Sequence, residues 1–211
     1  MKQQKTLIPG ILLLIAFVIW TLAVTRIDVQ SIGPQGSCVG FATLNQAFHQ
    51  LAGVHMWLYV LTDWLSIFPL VFILGFGILG LTQWLKRRKL LLVDRSILIL
   101  GGFYIVVMAV FLFFEFCVIN YRPVLIEGHL EASYPSSTTM LIMCVIPTAV
   151  LQLKERIHNT IVYKCIAFIL TAFGIFMVVS RLISGVHWLT DIIGGALVSV
   201  GLVMIYRSLT E

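Results

Sequence analysis

Six long apolar stretches divide this 211-residue chain, and they constrain its fold more than any other feature. A helix that crosses the hydrocarbon core of a bilayer needs about 20 predominantly apolar residues. No water is available there to bind backbone polar groups, so those groups must be paired within helices. The sequence therefore predicts an all-α integral membrane bundle of six transmembrane helices. They form a single membrane domain with spans at about residues 7–25, 57–84, 96–119, 138–153, 160–180 and 189–206.

The composition and the charge distribution support this class and predict its orientation. Hydrophobic residues make up 60% of the chain and charged residues 11%, which is far from soluble globular composition. Lys and Arg accumulate in cytoplasmic loops. Of the fourteen Lys and Arg residues, Arg26, Arg122 and Arg181 fall on one side of the predicted membrane. The other eleven fall on the opposite side: Lys2, Lys5, Lys86, Arg87, Arg88, Lys89, Arg95, Lys154, Arg156, Lys164 and Arg207.

This asymmetry places both termini in the cytoplasm and the three remaining arginines on the extracytoplasmic side of the cell membrane. The net charge of +5 is then explained by topology, and it indicates no nucleic-acid partner. The expected partners are membrane lipids.

The segment between the first two spans carries a helical pattern of its own. Turn residues at 33–36 precede Phe41, Leu44, Phe48 and Leu51, which recur at steps of three and four. This spacing predicts a short amphipathic helix that lies in the interface plane, in the first outer loop. Two interpretations are open: a lid or guide for a lipid substrate, or a connector that fills a groove between spans.

The stretch from Arg181 to Asp191 combines three residues that carry chemistry. His187 and Asp191 are four residues apart and are expected on one helical face, so the carboxylate can accept a proton from one ring nitrogen. The other nitrogen is then free to attack a substrate or to accept a proton. The planar guanidinium group of Arg181 suits phosphate. A single histidine is usually structural, but this combination beside a membrane indicates a phosphate-handling site.

The pattern Ser-Arg, five residues, His, three residues, Asp at 180–191 resembles the third signature of the type 2 phosphatidic acid phosphatase superfamily. Its members are integral-membrane lipid phosphatases. Upstream, Arg122-Pro123 and Pro135-Ser136 stand in the order expected for the first two signatures, so the resemblance covers about residues 115–191.

The resemblance implies a role for each matching residue. His187 is expected to be the nucleophile that forms a phosphohistidine, and Asp191 to be its partner. Arg122 and Arg181 are expected to bind the phosphate. Neither a metal nor another cofactor is required.

The predicted topology gathers the matching residues on one side of the membrane, at the ends of the third to sixth helices. We expect Arg122, Ser136, Arg181, His187 and Asp191 to form one pocket at the level of the lipid headgroups. There the two arginines and Ser136 can hold a phosphoryl group by charge-assisted hydrogen bonds.

Two signatures depart from the family pattern. Glu115 stands where the family has lysine, which removes a positive charge from the phosphate site and adds a negative one. Ser137 and Thr138 stand where the family has glycine and histidine. That histidine is the family's general acid, and a threonine hydroxyl cannot protonate a leaving group near neutral pH.

Three interpretations of these departures are open. In the first, the enzyme hydrolyses a substrate with a good leaving group, such as a polyprenyl diphosphate. In the second, Glu115 replaces the missing acid, with Glu127, His129 and Glu131 as further candidates. In the third, the protein no longer hydrolyses its ligand but binds or transports a phospholipid or polyprenyl phosphate.

Two other features receive structural interpretations. Asp63 in the second span is expected to make a structural hydrogen bond near the water interface. Glycines are expected to allow close helix packing. They lie at 75, 77, 80, 101, 102 and 195.

Overall fold

The computed structural model describes residues 2–210, which form eight α-helices. They are α1 (Lys2–Val24), α2 (Ala42–Ala52), α3 (Met56–Leu65), α4 (Ile67–Arg87), α5 (Arg95–Phe116), α6 (Ser137–Arg156), α7 (Thr160–Ile183) and α8 (Leu189–Thr210). Within this described part of the chain, six stretches are long and apolar enough to cross a membrane, and α3 and α4 together make one of them, a span of 32 residues. The prediction of an all-helical bundle with six spans is confirmed.

Each apolar stretch of the sequence coincides with one of these spans, but the ends differ by a few residues. The helix predicted at 138–153 continues to Arg156, and the one predicted at 189–206 continues to Thr210. Hydropathy reports the apolar part of a helix, whereas polar residues at its end keep the same backbone geometry.

Local chemistry separates α3 from α4 within the second span. Pro69 has no amide hydrogen and therefore cannot bond to the carbonyl of Leu65. At the end of α3 the Ser66 amide is shared between the carbonyls of Thr62 and Asp63, at 3.0 and 3.1 Å. The result is a separate helix of ten residues, α3, at one end of the span.

The centre of the bundle is formed by α6 and α8. In the most apolar 18 residues of each of these two spans, 56% of the residues are buried inside the protein, compared with 11% in the span that joins α3 and α4. Helix α1 packs closely on α8, because a Cβ atom on Gly201 would lie only 2.8 Å from Leu14 Cδ2. The indole of Trp20 also donates to the carbonyl of Thr190 at 3.2 Å.

The short helix predicted in the first loop is present as α2, and it contacts the start of α8. The buried side chain of Asn45 donates to the carbonyl of Gly40 at 2.8 Å and to Thr190 Oγ1 at 2.9 Å. The ring of His49 lies 3.2 Å from the carbonyl of Gly185. Helix α2 therefore covers the turn between α7 and α8, and this turn contains His187.

The expectation of close packing is wrong for four of the glycines. A Cβ atom on Gly75, Gly77, Gly101 or Gly102 would meet no atom within 4 Å. Three of them line a cavity of about 540 Å³ between α4 and α5. Lipid tails are as apolar as the helix surfaces, so no hydrophobic force presses these two helices together.

Candidate active site

His187 lies in a turn and not within a helix. Helix α7 ends at Ile183 and α8 begins at Leu189, so His187 and Asp191 do not share one helical face as the spacing predicted. They approach because Asp191 is in the first turn of α8, where its Oδ2 accepts the amide hydrogen of Trp188 at 2.9 Å. Both His187 and Asp191 are buried.

A serine that the sequence did not single out connects this pair. His187 Nδ1 is 3.7 Å from Asp191 Oδ2, which is too long for a hydrogen bond. Ser133 Oγ lies 3.2 Å from Nδ1 and donates its hydrogen to Asp191 Oδ2. Because that single hydrogen points to the carboxylate, Ser133 Oγ accepts the proton of Nδ1. Asp191 thus orients the imidazole through Ser133.

The contact on the opposite side of the His187 ring, at Nε2, indicates the same tautomer. Arg122 Nη1 lies 3.4 Å from His187 Nε2, and a guanidinium group has only donors. Nε2 must therefore be the acceptor, and the proton must sit on Nδ1. The Nε2 lone pair points toward Arg122, where an anion held by that arginine would lie.

The electrostatics of the site favour the neutral ring. Burial lowers the pKa of His187 from 6.5 to about 4, and the negative charge of the nearby Asp191 carboxylate opposes this only in part. The positive charges of Arg122 and Arg181 lower the pKa further. At pH 7 the ring is neutral, which is the form that can act as a nucleophile.

Both arginines of the site lie against one aromatic ring from α3. The guanidinium carbon of Arg181 is 4.7 Å from the centre of the Tyr59 ring, and that of Arg122 is 5.6 Å from it. Arg181 Nη2 also donates to Thr138 Oγ1 at 2.6 Å and pairs with Asp63 Oδ1 at 3.2 Å. Helix α3 is therefore a wall of the site, which the sequence had not indicated.

Two buried donors of these arginines remain for an anion. Among the described residues, Arg181 Nε has no hydrogen-bond partner. Arg122 Nε lies 3.0 Å from Glu131 Oε2, but the atoms are not aligned for a hydrogen bond. Buried polar groups are normally paired, so two such donors in one place suit a ligand with several acceptor oxygens.

Comparison with known proteins identifies the family. The family model described as the PAP2 superfamily matches residues 36–211, which include every residue of this site. The chain belongs to the PAP2 superfamily. No curated protein matches the chain significantly.

A solved PAP2 structure shows that the fold is shared. The crystal structure of a transmembrane PAP2 type phosphatidylglycerolphosphate phosphatase from Bacillus subtilis has a TM-score of 0.60 to this chain. The two chains are 19% identical, and the match covers 94% of this chain and 93% of the other. This PAP2 chain is thus a multi-pass membrane protein with the same helical architecture.

The residues that resemble the second PAP2 signature lie at the start of α6. Ser136 is the N-cap residue, and its Oγ accepts from the Thr139 amide at 3.5 Å and from the Thr139 hydroxyl at 3.0 Å. Its own amide donates to the carbonyl of Asp191 at 3.1 Å, which joins α6 to α8. A phosphate contact by Ser136 stays a prediction.

The candidate substitutes for the missing acid are dispersed. Glu115 is exposed on α5 and, with Ser133 and Ser137, lines a separate cavity of only about 20 Å³. Glu131 pairs with Arg122, whereas the other two candidates are exposed on the loop before α6. Thr138 is buried in contact with Arg181.

An apolar cavity opens beside this polar cluster. It has a volume of about 350 Å³ and lies between α4, α5 and α6. Asp63 and Thr138, which both contact Arg181, line part of it. Most of the other lining residues are apolar, such as Leu70, Val107 and Val145. The candidate site therefore places two arginines beside an apolar space of a size that suits a hydrocarbon tail.

Proposed function

We propose that this PAP2 protein is a membrane lipid phosphatase in which His187 attacks phosphorus. The observation that carries the proposal is the orientation of the neutral ring: Nδ1 is tied to Asp191 through Ser133, and Nε2 faces Arg122. A protein that only bound an anion would not need an oriented, deprotonated imidazole nitrogen beside it.

The reaction proceeds in two steps. In the first, the Nε2–P bond forms and the bond from phosphorus to the leaving oxygen breaks, while Arg122 and Arg181 hold the phosphoryl oxygens. The phosphorylated imidazolium that results keeps its proton on Nδ1, which donates to Ser133 Oγ, and the negative charge of Asp191 stabilises it. In the second step water attacks phosphorus, the P–N bond breaks and inorganic phosphate leaves.

The substrate that we propose is a lipid diphosphate with a polyprenyl tail. Thr138 stands at the position of the family's general acid, so a leaving alkoxide would lack a proton donor there. A lipid monophosphate that leaves from a diphosphate needs protonation far less. The apolar cavity beside Thr138 supports a substrate with a hydrocarbon tail. A protein that binds or carries such a lipid without hydrolysing it is the alternative.

We further propose that the site faces the extracytoplasmic side of the cell membrane, with both termini in the cytoplasm. The distribution of Lys and Arg supports this orientation. Single cysteines at positions 30 and 159 of a variant without the four native cysteines, labelled with a membrane-impermeant reagent, test it, because only position 30 is expected to react from outside intact cells.

The function is tested by phosphate release from purified protein in detergent. The substrates are a polyprenyl diphosphate, phosphatidylglycerolphosphate and phosphatidate. The variants are His187→Ala and, as matched control, His158→Ala, which changes an exposed histidine in the loop between α6 and α7. We expect the wild-type protein and His158→Ala to release phosphate from the polyprenyl diphosphate, and His187→Ala to release none. Folded wild-type protein that releases nothing from any substrate would favour the binding protein.

A further inference from the structure

We propose that Asp63 is the general base that activates water in the second step. The inference rests on the proposed function and adds a residue that no PAP2 signature in this sequence contains. Asp63 comes from α3, four residues after Tyr59, so one face of this helix supplies both residues to the site.

Asp63 lies beside Thr138, which stands where the family has its general-acid histidine. Asp63 Oδ1 and Thr138 Oγ1 lie 3.2 and 2.6 Å from the same atom, Arg181 Nη2. The two oxygens are therefore neighbours. Since Thr138 occupies the place of the family's histidine, a carboxylate stands beside the point where that imidazole would act.

The geometry of displacement at phosphorus places the attacking water near Asp63. In an in-line displacement the nucleophile and the leaving group lie on opposite sides of phosphorus. Water that attacks the phosphohistidine therefore enters where the leaving oxygen departed, on the side of the lipid tail. Asp63 and Thr138 line the apolar cavity on that side.

Exposure separates the two members of the ion pair. The side chain of Arg181 is 2% exposed, whereas that of Asp63 is 62% exposed. The carboxylate is open to the outside of the bundle, and the sequence predicts that this end of the span lies near the water interface, whereas the guanidinium group is enclosed. The carboxylate pairs with Arg181 through Oδ1, and a carboxylate oxygen can accept a proton from water. The other acids do not share this position, because Glu131 and Glu115 do not line the cavity.

The proposed step balances as follows. The water oxygen bonds to phosphorus, and the P–Nε2 bond breaks so that its electron pair returns to His187. One proton of the water passes to the Asp63 carboxylate, and inorganic phosphate leaves. The Asp63 carboxyl group then loses its proton to bulk water. With a diphosphate substrate the first step does not need this residue.

The test is rapid-quench kinetics of Asp63→Asn with a polyprenyl diphosphate labelled by ³²P in its terminal phosphate. A general base contributes about 10²- to 10⁴-fold to the step that it assists. We expect a burst of about one lipid monophosphate per protein, followed by turnover at least about 100-fold slower than wild type. Acid-labile label must accumulate on His187 during the slow phase.

Two further variants exclude a structural effect. Glu131→Gln also removes a carboxylate from an arginine of the site, and it should accumulate no labelled protein. Asp63→Ala should recover turnover when formate is added, but not when chloride is added at equal ionic strength. Wild-type turnover in Asp63→Asn, a loss of burst and turnover together, or label on Glu131→Gln would each overturn the inference. A wild-type protein that releases no phosphate from any substrate would overturn the proposed function and this inference with it.

Discussion

Replacement of Ser133 by alanine is the most direct test of how Asp191 acts on His187. The side chain removed accepts from Nδ1 at 3.2 Å and donates to Asp191 Oδ2. Without it, Nδ1 and Oδ2 remain 3.7 Å apart, and Oδ2 keeps only the amide of Trp188 among the contacts described above. The imidazole then loses the group that fixes its tautomer.

The size of the effect follows from burial. Ser133, His187 and Asp191 are each at most 3% exposed, so water does not readily replace the lost hydroxyl. A hydrogen bond to a charged group contributes about 1.5–3 kcal/mol. At about 1.36 kcal/mol per factor of ten, we expect kcat/KM of Ser133→Ala to fall about 10- to 100-fold.

The assay is kcat/KM for the substrate on which wild-type protein is active. Ser199→Ala is the matched control, because Ser199 is a buried serine of α8 that donates to the backbone carbonyl of Met140, at 3.4 Å, and is not among the residues of the site. We expect it to change kcat/KM less than about threefold. Its hydrogen bond is neutral and contributes about 0.5–1.5 kcal/mol to the stability of the fold, but it does not contact the reacting groups. If Ser133→Ala kept full kcat/KM while Asp191→Asn lost it, the relay through Ser133 would be refuted.

Three further perturbations test other parts of the site. Gly185→Ala should lower both melting temperature and activity, because its φ is +70° and a Cβ would lie 2.0 Å from the Gly53 carbonyl oxygen. Gly36 has a φ of +75°, but a Cβ added there would meet no atom within 4 Å, so Gly36→Ala should lower the free energy of unfolding by only about 1 kcal/mol, from the backbone conformation alone. His187 should titrate near pH 4 by ¹⁵N NMR. Since the unfolded chain binds this proton near 6.5, acidification below pH 6.5 should lower the melting temperature of wild-type protein more than that of His187→Gln. Thr138→His should raise phosphatidate hydrolysis relative to diphosphate hydrolysis, because it restores a proton donor beside the tail cavity.

Much of the architecture was predictable because hydropathy acts locally along each helix. The apolar stretches predicted six spans, and the amphipathic spacing of Phe41, Leu44, Phe48 and Leu51 predicted α2. The third signature predicted the family, which the comparison confirms. These patterns depend on residues close in sequence, whose relation is fixed by the period of a helix or by a motif.

The contacts that define the site depend instead on how separate helices pack. Ser133 is 54 residues from His187 in sequence, and Asp63 is 118 residues from Arg181. Neither pair has a spacing that a sequence pattern can reveal. In a membrane, hydrophobicity also does not select which helices touch, since lipid and side chains are equally apolar.

The sequence by itself thus determined the helices, the side of the bundle that carries the arginines, and the histidine that we propose as nucleophile. Only the tertiary structure decided that Asp191 reaches His187 through Ser133, that α3 supplies Tyr59 and Asp63, and that α4 and α5 leave open cavities. The physical reason is that spacing along a chain fixes neighbours within one helix, whereas contacts between helices depend on packing and hydrogen bonds across the whole bundle.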